Sequence, residues 1–325
     1  MRKFVFFGGK GGVGKTTVSS AYGLRCARDG LDTLLVSTDP AHSTSDVFDQ
    51  RFGDEPESVA GHENLHAMEI DPDAEIERHM AEIRSAMSDQ VSPAIVNEID
   101  RQIELAHRTP GAYEAALFDR FIDVMRNSEA YDRVIFDTSP TGGTLRLLAL
   151  PEFLESWIDR LMAKRRESVD LFEKAAIGDA EAREKLANDP IIERLTDRKE
   201  TFEFAGRVLR EEAAFYLVLN PDDLSIEESR RAIADLSEAG LGVGGLIVNK
   251  VAPEPDPDET GIGATYLRER HQTDRRRLER IREEFDEPVV AVLQQRVSEI
   301  KGDLLAEIAD EIGIETAPDS STAGD

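Results

Sequence analysis

The sequence is poor in cysteine, tryptophan and lysine, and it has no long apolar run. Among its 325 residues there is one cysteine, Cys26, and one tryptophan. A single thiol excludes an intramolecular disulfide, and without a CxxC pair or a Cys/His cluster there is no zinc site to read. Cys26 lies in an apolar stretch after a glycine loop and reads as a small core residue. No stretch of about 20 uncharged apolar residues occurs, so no transmembrane helix is expected. The opening MRKFVFFG runs straight into the glycine loop and reads as a first strand instead of a signal peptide. A cytoplasmic protein is the expectation.

Positive charge is scarce as well. Lys and Arg number 39 against 66 Asp and Glu, a net charge of −27, and nine of the 39 are lysine. That balance repels phosphate backbones and argues against a nucleic-acid partner. The acidic excess is spread along the chain, as on a halophilic surface where counterions screen self-repulsion.

What the sequence has is an alternation of apolar, β-branched runs with helical patterns. The runs are residues 3–8 (KFVFFG), 33–38 (TLLVST), 133–137 (RVIFD), 215–220 (FYLVLN), 243–249 (VGGLIVN) and 288–293 (PVVAVL). Continuous rather than alternating apolar character suits a parallel sheet covered on both faces. The expected fold class is α/β: a parallel β-sheet core sandwiched by helices, and the GxxxxGK[ST] loop at 9–16, after the first run, makes that core of the P-loop NTPase type. Residues 71–130 and 151–212 are too long for ordinary crossovers and read as an inserted helical subdomain. Together these make one domain over 1–315, followed by a disordered tail over 316–325.

The glycine loop is the strongest signal. Gly9, Lys10, Gly11, Gly12, Val13, Gly14, Lys15 and Thr16 fit GxxxxGK[ST] between a strand and a helix pattern beginning near Thr17. Glycines let backbone N–H groups turn toward phosphate oxygens, and the helix N-terminus adds its positive dipole end. Lys15 is expected to bridge the β- and γ-phosphates of ATP, and Thr16 to offer its hydroxyl to Mg²⁺. Two aspartates stand at strand ends. Asp39 can orient and deprotonate the attacking water, and Asp137 can hold Mg²⁺ through its water shell. His42 follows Asp39 by three residues and reads as a structural or switch contact.

The extra lysine, Lys10 in GKGGVGKTT, resembles the deviant Walker A class, in which it reaches a partner subunit's nucleotide. With STDPAHSTSDVF, FDTSPTGGTLRLLALP, NPDDLSIEESRRAIADL and GLIVNK, the chain closely resembles the arsenite-pump and guided-entry tail-anchored protein targeting ATPase family, from about residue 3 to 302. The resemblance implies a homodimer with Lys10 crossing the interface and Asp39 as catalytic aspartate. It implies a second switch over 137–144, Asn249 as reader of the adenine ring, and a base-closing loop over 290–302. The family's usual proline in that loop is Leu293 or Gln294 here. The CxxC pair that joins targeting dimers through zinc has no counterpart at 265–270 (TYLRER).

Two principal functions follow from the resemblance. One is capture of a client's hydrophobic transmembrane segment and delivery to a membrane receptor, with transient membrane association. The other is driving an arsenite-pump subunit. Soft As(III) needs several thiolates, which one cysteine cannot supply. Phe153, Leu154, Trp157, Ile158, Leu161 and Met162 have helical spacing and fit either a client groove or the subdomain's own core. A partition or septum-positioning ATPase would need a basic patch or a terminal amphipathic helix, and neither is visible. A nucleotide-dependent regulatory switch or chaperone with negligible turnover remains a further reading.

Overall fold

The computed structural model describes residues 2–38, 43–71, 74–75, 78, 112–137, 158–160, 162–164 and 190–316. Its elements run β1 (Phe4–Gly8), α1 (Lys15–Arg28), β2 (Thr33–Ser37), α2 (Ser43–Phe48), β3 (Glu57–Ser58), β4 (Leu65–Glu69), α3 (Ala112–Arg126) and β5 (Arg133–Asp137). They continue with α4 (Pro190–Glu211), β6 (Ala213–Leu219), α5 (Asp223–Glu238), β7 (Val243–Val251), α6 (Ile262–Glu284), β8 (Val289–Gln294) and α7 (Asp303–Glu311).

The strands form one sheet in the order β3-β4-β2-β5-β1-β6-β7-β8. Every pairing is parallel except that of the two-residue edge strand β3, which runs antiparallel to β4. β1 is central, between β5 and β6, and all five of its residues are buried. Side chains alternate across a strand, so Phe4 and Phe6 enter one core layer while Val5 and Phe7 enter the other. Phe6 stacks between Phe136 and Phe215, with ring centroids 4.5 and 5.0 Å away. On that side α3 and α4 contribute Phe118, Phe121, Phe202 and Val208. Over the other side α1 and α7 contribute Tyr22, Cys26, Leu305 and Ile308.

The sandwich expected from the sequence is therefore present. Within the spans read as an inserted subdomain, α3 and α4 bury Phe118, Phe121, Phe202 and Val208 in the layer covering the sheet. The remainder of those spans, apart from short pieces at 158–160 and 162–164, lies outside the described residues. Ile158 and Met162 are buried in the same layer as Phe118 and Phe202, so these two proposed groove residues are core residues. Phe153, Leu154, Trp157 and Leu161 lie outside the described residues. Thr316, read as the start of a disordered tail, is buried, accepts a hydrogen bond from the Arg133 guanidinium at 3.1 Å through its carbonyl, and donates one to Asp29. Among the described residues no helix is long and apolar enough to cross a membrane.

Candidate functional site

The carboxyl ends of β1, β2 and β5 lie side by side, because β1 and β2 both pair with β5. In an open parallel sheet this edge is where ligands bind. The chain leaves β1 at Gly9, whose φ is +140° and whose missing Cβ would lie 2.1 Å from the Val218 carbonyl oxygen of β6. Gly14, with φ +94°, caps the N-terminus of α1, and a Cβ there would lie 2.4 Å from Asn249 Nδ2. The loop is thus held tightly between β6 and the end of β7, and glycine is required at both contacts.

Lys15 opens α1, is buried, and donates from Nζ to the Lys10 carbonyl at 3.1 Å. Its ammonium therefore lies over its own loop. Gly11 and Gly12 are the exposed residues of that loop, and Lys10 beside them is half-buried. Thr16 and Asp137 are brought together, the threonine hydroxyl donating to Asp137 Oδ2 at 2.6 Å. That is the length of a charge-assisted O–H···O⁻ bond. Ser37, at the end of β2, donates to the same oxygen at 3.5 Å, and Thr38 N–H donates to the Asp137 carbonyl at 3.2 Å. Asp137 is buried. A hydroxyl and a carboxylate make a hard, all-oxygen donor pair, which suits Mg²⁺ and not a thiophilic metal. The donor chemistry and the glycine-lined loop fit a nucleotide with its magnesium ion.

Asn249 lies against this loop. Its Nδ2 donates to the Val13 carbonyl at 2.7 Å, and its Oδ1 accepts from Lys250 N–H at 2.8 Å. The amide therefore keeps one N–H and one acceptor lone pair beyond these two bonds. Leu293 is buried within β8, and Gln294 is that strand's exposed last residue, so the expected base-closing loop begins in a strand. Asp39 and His42 lie outside the described residues, as does the second switch beyond Asp137.

Three residues near this edge were missed in the sequence. Ser37 joins Asp137. Glu69, at the end of β4, accepts hydrogen bonds from Ser45 N–H and Ser45 Oγ, both at 2.8 Å, and so anchors α2 just after the Asp39 segment. Lys250 reaches back to the loop, donating from Nζ to the Gly12 carbonyl at 2.6 Å. The only local signals were a serine before TD, a strand-ending glutamate and a lysine beside Asn249.

Cys26 is fully buried on the core face of α1, and burial pushes its thiol up to about 11. Burial likewise holds the Tyr22 phenol far above its ordinary range.

The model of the anion-transporting ATPase family matches residues 2–313. A putative arsenical pump-driving ATPase 2 of Aquifex aeolicus is 32% identical over 88% of this chain and 90% of its own length. The ATPase GET3 of Chaetomium globosum is 32% identical over 92% of this chain and 86% of its own. A putative arsenical pump-driving ATPase of Halobacterium salinarum is 33% identical over 94% of this chain, which covers 43% of that longer relative. A family match along almost the whole chain, relatives above 30% identity and a phosphate loop at the sheet's carboxyl edge agree: the chain belongs to the anion-transporting ATPase family and is an ATPase.

Proposed function

We propose that this ATPase is a dimeric targeting factor that captures hydrophobic transmembrane segments and delivers them to a membrane receptor. The observation that carries this reading over a pump-driving one is the state of Cys26. Arsenite needs thiolate ligands, and this chain's one thiol is buried in the core with its ionisation suppressed. Similarity to a GET3 ATPase supports the targeting side.

In this reading backbone N–H groups of residues 9–17 and the Lys15 ammonium bind the phosphates. Thr16 and Asp137 hold Mg²⁺, and their 2.6 Å contact supports the pairing. The ion would withdraw negative charge from the phosphoryl group being transferred. Asp39 orients and deprotonates the attacking water. Lys10 reaches across to the partner's nucleotide. The spare N–H and lone pair of Asn249 match the N7 acceptor and N6 donor of adenine. ATP draws two subunits together, and hydrolysis relaxes the switches and releases the client. The work takes place in a cytoplasm rich in salt, with transient visits to the membrane.

Client capture tests the proposal. Purified protein in multimolar KCl is mixed with a labelled tail-anchored segment leaving detergent, with ATP, ADP or no nucleotide, and Asp39→Asn as the hydrolysis-dead control. Co-elution of segment and dimer that depends on nucleotide is expected. No capture by protein that still hydrolyses ATP, or turnover stimulated by arsenite, would reject targeting in favour of the pump reading.

A further inference from the structure

We infer that Lys250 is a positioning residue for the phosphate loop: with Asn249 it forms a strut from β7 that fixes two successive peptide planes of the loop. The inference rests on reading residues 9–17 as the ATP site.

Three observations carry it. The first is backbone geometry. β7 shifts register against β8 twice, between Leu246 and Ile247 and again between Val248 and Val251. Within the second irregularity Lys250 adopts φ +58°, a left-handed conformation that is unfavourable for a residue with a Cβ. A bulge of this kind re-aims side chains, and here both Asn249 and Lys250 reach the loop.

The second is the pair of contacts. Lys250 Nζ holds the Gly12 carbonyl at 2.6 Å, and Asn249 Nδ2 holds the Val13 carbonyl at 2.7 Å. In a trans peptide the C=O and the following N–H point in opposite directions. Fixing the carbonyls of residues 12 and 13 toward β7 therefore turns the N–H groups of Val13 and Gly14 away from it. Those are donors a phosphate loop must present in one fixed direction.

The third is what Lys250 passes over. The chain has 66 acidic residues and nine lysines. Among the described residues Lys250 makes no ion pair, whereas basic side chains elsewhere, such as Arg28, Arg230, Arg280 and Lys301, do. Its ammonium is bonded to an uncharged loop carbonyl instead. A charge-assisted bond to a glycine-rich loop is a means of holding it, whereas a lysine placed for solubility would point into solvent.

The test is titration of fluorescent ATP and ADP analogues against the full chain and its Lys250→Met, Lys250→Arg and Lys250→Gly variants, with thermal melting of each. Wild-type binding checks the ATP-site reading separately; its absence would remove both readings. Given that binding, Lys250→Met should weaken ATP and ADP alike, by about tenfold, as loss of one charge-assisted bond implies. Lys250→Arg should restore affinity to within about threefold by supplying a donor. Lys250→Gly relieves the left-handed strain, so it should melt no lower than Lys250→Met yet bind as weakly. Affinity within about twofold of wild type in Lys250→Met would overturn the strut. So would a loss confined to ATP, which marks direct contact with the terminal phosphate, or recovery of binding in Lys250→Gly.

Discussion

At the scale of single residues, the site divides into what spacing reveals and what three-dimensional pairing creates. The phosphate loop and Asp137 were legible because their chemistry is tied to local order: strand, glycine loop, lysine, threonine, and an apolar strand ending in aspartate. Glu69 and Lys250 were not. Glu69 matters because β4 ends beside α2, and Lys250 matters because a register shift against β8 turns it toward Gly12. No glycine or proline marks that bulge in the sequence. Two predictions belong here. Asp39→Asn should lower kcat by about a hundredfold or more while nucleotide still binds, as expected for loss of a general base; steady-state turnover with a binding titration checks it. Cys26 should resist alkylation in the native protein. With its pKa at about 11, the thiolate is scarce at neutral pH and grows tenfold with each pH unit up to that value. Labelling should be slow, should accelerate as pH rises, and should complete at once on unfolding. Fast stoichiometric labelling of folded protein at pH 8 would contradict the buried position.

At the scale of elements, continuous apolar runs located β1, β2, β5, β6, β7 and β8 to within two residues at each end. The missed strands were β3, of two residues, and β4, whose LHAME carries His66 and Glu69 within a short run. β4 is specified by its parallel pairing with β2 more than by its own composition. The helices were harder. α3 and α4 have the apolar faces of sheet-covering helices, but the length of the flanking segments suggested an insert. Phe118 of α3 stacks on Phe202 of α4 at 6.0 Å, Phe121 of α3 meets Phe6 of β1 at 6.4 Å, and all are buried in one cluster, so these helices cover the sheet. The central layer supplies a stability prediction. Phe6 is 1% exposed and contacts Phe136, Phe215 and Phe121. Phe6→Ala should therefore cost about 3–5 kcal/mol in denaturant unfolding, as large core truncations do. The exposed pairing between α5 and α6 behaves differently. Asp223 accepts from Arg280 at 2.7 Å and from Arg277 at 3.2 Å, and the Arg277 hydrogen bond leads in holding its carboxyl below the ordinary carboxylate range. A lowered folded pKa contributes stability above the unfolded value of about 4, and that stability is lost as pH falls through the folded one. Asp223→Asn should thus melt slightly below wild type at neutral pH and low salt. The gap should close both in strong acid and in molar KCl, where the pairing is screened.

At the scale of the whole molecule, charge and assembly dominate. A net charge of −27 on 325 residues opposes compaction unless counterions screen it. Melting temperature should rise steeply with KCl, and full stability and activity in salt-free buffer would contradict the halophilic reading. The charge also bears on assembly, since two such subunits repel each other at long range and screening aids their approach. Lys10, half-buried beside the exposed Gly11 and Gly12 of the phosphate loop, is the proposed bridge between subunits once nucleotide is present. The most direct test of that switch is the molar mass of Asp39→Asn in multimolar KCl, measured by light scattering during size exclusion, with ATP and Mg²⁺, with ADP, and with Lys10→Ala added. The account predicts a dimer with ATP that Lys10→Ala weakens markedly. A monomer under every condition, or an ATP dimer indifferent to Lys10→Ala, would contradict it.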